Sequence, residues 1–480
     1  MIGKPEIIRI AGQLSLNPHV VEKDYALGWL LAGIFANGRI AEHWVFKGGT
    51  CLKKCFFETY RFSEDLDFTL VDEAHLSETF LREVFAEIGE WVYDRCGLEL
   101  PSDRQDFEVY ENPRGKKSCR GRVSYRGPVS PTAGGWPRIK LDLTADERIV
   151  LPPARISIFH PYSDAPEGGI EVLAYAYEEA FGEKLRALAE RTRPRDLYDV
   201  INLYRNTDAR PSPSVLLDVL RQKCEFKGIP LPKPADLDPH RGDLEAAWET
   251  MLRHQLPALP PVESFWSALS EFFDWLESGR AAEIPASYTA APGETILRER
   301  TLRLPVPPAS QSHIEVIRFA AANRMCVDLE YQNRTRRIEP YSLRRTMDGN
   351  IILHAWNIDS NGHRSYRVDR IQGARSTNQV FTPRYAIELT PSGPVAIPPT
   401  ERSSSSGSQG SGTGLRRSTR RRTSRTLGSS LSTGPTYTYQ CGMCGKKFRR
   451  RKPSGRLNKH KDPGGWQCAG RTGFLVDTKY

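Results

Sequence analysis

The stretch from Phe46 to Leu70, FKGGTCLKKCFFETYRFSEDLDFTL, limits the folds open to this chain more than any other. Two glycines follow a short apolar run, and the next apolar run carries Asp65 and Asp67. Residues at i and i+2 of a strand point to the same face. The spacing therefore predicts two carboxylates side by side in an apolar strand, where they need a positive partner. A divalent cation meets that need. Hard magnesium, or manganese, prefers carboxylate oxygen together with substrate phosphate. At Gly48-Gly49-Thr50 no Cβ intervenes, so backbone amides can approach a phosphate closely. Thr50 and Ser63 add hydroxyls. A third acid on a neighbouring strand should complete the cage, and Asp142 in IKLDLT is the candidate. A glycine turn, a helix and a strand bearing two acids is what two-metal phosphoryl or nucleotidyl transfer requires.

Further along stand LPPARISIFHPYSD and GEKLRALAERTRPRDLYDV, and upstream VVEKDYALGWLL. With FKGGTCLKK, RFSEDLDF and IKLDLT, these motifs resemble the AbiEii/AbiGii toxin family of nucleotidyltransferases, in the family's order, over roughly residues 15–205. The resemblance implies a polymerase β-type α/β (α+β) fold. It implies transfer of a nucleotide from a nucleoside triphosphate (NTP) to an acceptor, tRNA or related RNA, with release of pyrophosphate. It maps the glycine motif onto Gly48, Gly49 and Thr50 and the metal pair onto Asp65 and Asp67. The family's lysine falls on Lys184, where it would neutralise charge building on the triphosphate. The family's late aspartate is Asp196 or Asp199. It would hold that lysine or act as base for the acceptor hydroxyl. Arg191 and Arg195 would touch phosphate.

At 480 residues the chain is too long for one ordinary domain. Periodicity and composition divide it into a transferase core at 1–205, a helical extension at 206–282 and a proline-rich linker at 283–311. A β-rich domain at 312–390, a basic linker at 391–436 that should be disordered, and a cysteine-bearing module at 437–480 follow. Asp348-Gly349 and Asn361-Gly362 are hairpin-type turns within the β-rich part. No run of about 18 apolar residues occurs. The N-terminal segment lacks a signal peptide's apolar core, so a cytoplasmic protein with no membrane contact is expected. The formal charge of +10 divides unevenly: residues 397–480 hold 18 Lys and Arg against three Asp and Glu, or +15, leaving −5 for the rest. That places nucleic-acid contact in the tail.

RRIEPYSL, IILHAWN and RSYRVDRI resemble a WYL domain. That implies a small Sm-like β barrel whose Arg and Tyr side chains bind a nucleotide or single-stranded nucleic acid. Arg337, Tyr341, Arg367 and Arg370 are the candidates, because guanidinium forks suit phosphate and aromatic rings suit bases. Such domains often pair, which implies a homodimer. Cys441-x2-Cys444, His460 and Cys468 resemble a zinc finger with a structural zinc ion. KKFRRRK and RRSTRRRTSR beside it suit phosphate backbones.

These readings predict a magnesium-dependent nucleotidyltransferase of toxin or phage-defence type. It would place NMP on an RNA 3′ end, that of tRNA by the resemblance, and it would have a cognate antitoxin. The competing expectation is a nucleic-acid-sensing regulator with an inactive transferase scaffold. NMP transfer to a protein hydroxyl stays open.

Overall fold

The structure, a computed structural model, describes residues 1–14, 16–57, 61–130, 135–280, 285–289, 291–297, 308–389, 436–441, 443–450, 456–462, 467–468, 470 and 472–479. The basic linker expected at 391–436 lies almost wholly outside them. Two compact units are present, residues 1–398 and 399–480.

The first unit opens with helices α1 (Lys4–Leu14) and α2 (Pro18–Ala36), then β1 (Trp44–Lys47), a short helix α3 (Gly48–Cys51) and a wide turn at Leu52–Phe56. Next come β2 (Asp65–Leu70), α4 (Glu78–Cys96), β3 (Gln105–Glu111), β4 (Lys117–Ser124), β5 (Arg138–Thr144), β6 (Ala154–Ser157) and β7 (Glu171–Ala174). The seven strands form one mixed sheet in the order β3-β4-β5-β2-β1-β7-β6. The pairs β2–β5 and β1–β7 are parallel. One face packs on α2 and α4. Trp44 of β1 meets Phe68 and Phe85 there at ring-centroid distances of 5.4 and 6.1 Å, contacts of about 1 kcal/mol each beyond their burial. Gly97, at φ +77°, ends α4 in the left-handed conformation that favours glycine.

Two buried acids explain the VVEKDYALGWLL motif. Asp24 takes Lys54 Nζ at 2.7 Å and Tyr162 Oη at 2.9 Å, which ties the segment after the glycine turn to α2. Glu22 accepts from the amides of Val129 and Ser130 at 2.5 and 2.7 Å. Cys51 and Cys55 are buried in the core beneath the turn.

Helices α5 (Tyr177–Arg191) and α6 (Pro194–Arg205) follow the sheet. After them come α7 (Pro213–Lys227), α8 (Pro234–Leu237), α9 (Arg241–Leu252), α10 (Glu263–Trp266) and α11 (Ala268–Ser278), the helical extension. Next are a short strand β8 (Thr295–Ile296), α12 (Pro308–Ala322), β9 (Met325–Tyr331), β10 (Arg334–Arg345), β11 (Ile351–Asn357), β12 (Gly362–Arg367) and β13 (Ile371–Val380). These strands make a separate antiparallel sheet, β12-β11-β10-β9-β13, with β8 added on β10. Gly349 at φ +78° and Asn361 at φ +44° sit in its hairpin turns. Helix α12 packs on this sheet and on α1. Part of the stretch read as a linker is built into the sheet: the Tyr288 ring stacks on His363, and Glu294 lies 3.5 Å from the fully buried Arg344.

The second unit has a three-stranded sheet of β14 (Thr436–Cys441), β15 (Lys447–Arg450) and β18 (Gly473–Lys479). A two-stranded ribbon of β16 (His460–Lys461) and β17 (Gln467–Cys468) completes it. Among the described residues, no helix is long and apolar enough to cross a membrane.

Candidate active site

Parallel pairing sets Asp67 of β2 directly beside Asp142 of β5, and Asp65 beside Lys140. Asp65, Asp67 and Asp142 therefore share one sheet face, as their spacing implies. Antiparallel pairing brings Lys47, the last residue of β1, opposite Asp67. Gly48 follows at φ +81°, a left-handed conformation that favours glycine. A Cβ on Gly48 would lie 2.0 Å from Asp67 Oδ2, and one on Gly49 would lie 2.7 Å from an Arg61 guanidinium nitrogen. The glycines thus make room for the acid and for Arg61 as well as for any phosphate. Thr50 Oγ1 donates to the Asp65 carbonyl at 2.5 Å, which locks the turn to β2.

Among the described residues no cation stands within salt-bridge distance of Asp65, Asp67 or Asp142. Burial and the neighbouring Asp142 push Asp67 up to about 6, against the pull of Lys47 and Lys184. Crowding of its surroundings and Asp65 also raise Asp142, although its side chain reaches solvent. Acids that repel one another, with Lys47 and Lys184 near but outside salt-bridge distance, fit a hard divalent cation. Among the described residues these three carboxylates are not gathered to ligand spacing as the Cys and His ligands of the second unit are.

Behind the acids lies a buried clamp. Asp199, fully buried on α6, receives Arg61 through two bonds of 2.7 Å and Lys184 Nζ at 2.9 Å. Asp196 instead takes Arg191, at 2.8 and 3.0 Å. Of the two late aspartates, Asp199 is the one that holds Lys184. Arg195 is half-buried, and burial together with Arg61 draws it below its ordinary value. Ser63 borders Gly49, 3.2 Å from where its Cβ would stand. Lys47 was not among the sequence candidates. It is buried against Glu183 at 3.2 Å and Glu147 at 3.7 Å. Burial alone would lower its pKa, but these two carboxylates outweigh it and raise it. Its only local signal is its place immediately before the glycine pair. Arg61 was missed as well, because its partner is 138 residues away.

In the middle sheet, Tyr341 is buried and its hydroxyl donates to Glu339 at 2.6 Å. Arg337 forks onto Asp328 at 2.8 and 3.2 Å, Arg367 pairs with Asp369 at 2.7 Å, and Arg370 is exposed.

In the second unit, Cys441, Cys444, His460 and Cys468 present ligand atoms all within 4.8 Å of one another. His460 Nδ1 lies 2.9 Å from the Asn458 carbonyl, which fixes the ring so that Nε2 faces Cys444 at 3.3 Å. Burial would raise the Cys441 thiol, but the amides of Cys444 and Met443 bring it down to about 7. Three sulfurs and one imidazole suit tetrahedral zinc.

A glycine turn against two parallel strands that carry three acids on one face, in a mixed sheet backed by helices, is the frame of a nucleotidyltransferase. The family model described as "Nucleotidyl transferase AbiEii toxin, Type IV TA system" matches residues 29–274. The chain belongs to this AbiEii nucleotidyltransferase toxin family. The WYL domain matches residues 312–376. No curated protein matches the chain. Among solved structures it is similar to MenT4, a nucleotidyltransferase toxin from Mycobacterium tuberculosis H37Rv. That match has 21% identity and a TM-score of 0.34, and covers 58% of this chain and 100% of that one. It is also similar to proteasome accessory factor B/C (PafBC) of Arthrobacter aurescens. There the identity is 14% and the TM-score 0.16, with 57% of this chain and 62% of that one covered.

Proposed function

We propose that the chain transfers NMP from an NTP to the 3′ end of an RNA, a tRNA above all, and so stops translation in the cytoplasm until a cognate antitoxin intervenes. One observation carries this reading: Asp65, Asp67 and Asp142 share a face against the left-handed Gly48 without a protein cation to pair them. Asp65, Asp67 and Asp142 would hold magnesium or manganese, which when bound supplies Lewis acidity at the phosphates. The amides of Gly48, Gly49 and Thr50 and the hydroxyl of Ser63 orient the triphosphate. Lys184, held by Asp199, and Lys47, opposite Asp67, set positive charge where negative charge grows. Arg191 and Arg195 stand at the edge of the same site and meet the outer phosphates. Asp142, the solvent-reaching acid, takes the proton of the acceptor hydroxyl. The hydroxyl oxygen bonds to the α-phosphorus, the bond from that phosphorus to the bridging oxygen breaks, and pyrophosphate leaves. Asp199 is a positioning residue, because it is sealed from solvent between Arg61 and Lys184.

The test is incubation of purified protein with labelled NTPs, magnesium and total tRNA, beside Asp65→Ala/Asp67→Ala. Label in RNA from the wild type alone is expected. Label in a polypeptide, or equal label from both proteins, overturns the reading.

In the second unit, we propose a structural zinc ion held by Cys441, Cys444, His460 and Cys468. About one zinc per chain is expected by elemental analysis, and Cys441→Ser should lose it. After chelation, protease should cut within 436–479 while residues 1–280 resist. A zinc-free wild-type protein that resists protease equally would refute the site. The WYL domain is proposed as a nucleotide- or nucleic-acid-binding and pairing module. Its exposed Arg370, with Arg337 and Arg367 on exchangeable surface ion pairs, supports phosphate contact. Tyr341 supports the sheet from within.

A further inference from the structure

The sheet face that carries the three acids does not end with them. On β5, Arg138 and Lys140 precede Asp142 at two-residue steps, about 7 Å each, and on β4 Arg122 and Arg120 pair beside Lys140 and Asp142. All four cations lie on the acid-bearing face, and Arg138, Lys140 and Arg120 are exposed. Arg120 caps the Tyr110 ring at 4.5 Å, and Arg122 pairs with Asp106 at 2.8 Å at the outer rim.

At the Asp65 end this strip opens into a cavity of about 570 Å³. Its wall runs from Arg138 past Glu64, the residue before Asp65, to Lys23 and the start of α2, and across to Arg253 and His254. Glu64 is its one acid, and Lys23 neutralises it at 2.9 Å. The volume falls in the range of about 300–1,000 Å³ typical of small-ligand sites. Arg253 pairs with Glu249 at 2.9 Å, and Asp106 and Glu108 of β3 stand opposite Arg122 and Arg120 on the same face, so Arg138 and Lys140 are the cations of the strip best placed to meet a polyanion in extended form.

We propose that this strip and cavity form the acceptor site for a single phosphodiester strand. The proposal rests on the transferase reading for the use made of that strand. The 3′-terminal hydroxyl lies at Asp142, upstream phosphates lie along Lys140, Arg138 and Arg122, and a nucleotide next to the end enters the cavity between Arg138 and Arg253. Arg138 and Lys140, exposed in a row that leads into the cavity, favour a nucleic acid over a protein side chain as acceptor.

The test uses the full chain carrying Asp65→Asn/Asp67→Asn, which cannot turn over, and a fluorescein-labelled single-stranded RNA beside the DNA of the same sequence. The added pair Arg138→Ala/Arg253→Ala should weaken binding about tenfold. It should also reduce the slope of log affinity against log salt by about 1.4, two single-strand phosphate contacts. Thermal melting of the added pair at the parent's temperature shows that folding is intact, and the salt slope reports contacts that a structural role would not move. Binding of RNA alone, or of both strands, with that fall supports the site, and the preference names the strand. Unchanged affinity and slope overturn it, as does a wild type that labels polypeptide and binds neither strand. A wild type that transfers nothing but shows the salt-dependent loss refutes the transferase reading and leaves the strand site standing.

Discussion

Asp67→Asn is expected to lower nucleotide transfer on the order of a thousandfold, because one of three ligands for the catalytic cation loses its charge where several kcal/mol of stabilisation are drawn from it. The same change should make the metal-free protein more stable. In the fold, burial and Asp142 raise Asp67 from 3.8 to about 6. A carboxyl whose folded pKa is raised binds its proton more tightly in the native state than in the unfolded chain. Its ionised form therefore works against folding above that range. Stability of the metal-free wild type should fall as pH rises from about 4 to about 6, by roughly 2–3 kcal/mol in total. In Asp67→Asn that slope should flatten. Rates with labelled NTP, and denaturant melts in chelator across pH 4–8, measure both. A variant within tenfold of wild-type turnover would remove Asp67 from the site.

The second large effect is expected at Asp199. Asp199→Ala leaves the guanidinium of Arg61 and the ammonium of Lys184 buried without their counter-charge. Breaking a buried pair from one side costs about 3–5 kcal/mol. The melting temperature should drop by several degrees and soluble yield should fall. Asp199→Asn keeps an oxygen toward Arg61 but loosens Lys184. It should fold and yet show a higher KM for NTP and a lower kcat. If the asparagine variant keeps wild-type kinetics, the clamp supports the fold and not the reaction.

How much of this was legible depended on how local each signal was. Strands β2 and β5 could be read because apolar residues alternate there with acids or basic side chains, and β1 because a short apolar run stops at the glycine pair that marks the turn. The shared face of Asp65 and Asp67 followed from period two alone. That of Asp142 needed the parallel register, which no local pattern states. The hairpin β3–β4 went unread. Arg120, Arg122, Asp106 and Glu108 on its solvent side make it look like a charged loop, although Phe107, Cys119 and Val123 alternate inward. The Asp196 or Asp199 choice rested on Arg61, far away in sequence. Prolines made residues 283–311 read as a tether, yet Tyr288 and Glu294 pack into the middle sheet, a contact made only by tertiary approach.

Gly48 has a genetic meaning beyond its geometry. The carboxylate of Asp67 occupies the space where any other residue would begin, so even alanine displaces it. A missense change of that codon therefore strikes the reaction first, at the acid that the sheet presents beside the turn. A population burdened by such a toxin therefore has an escape route at one codon, because a single base change there displaces the acid that the reaction needs.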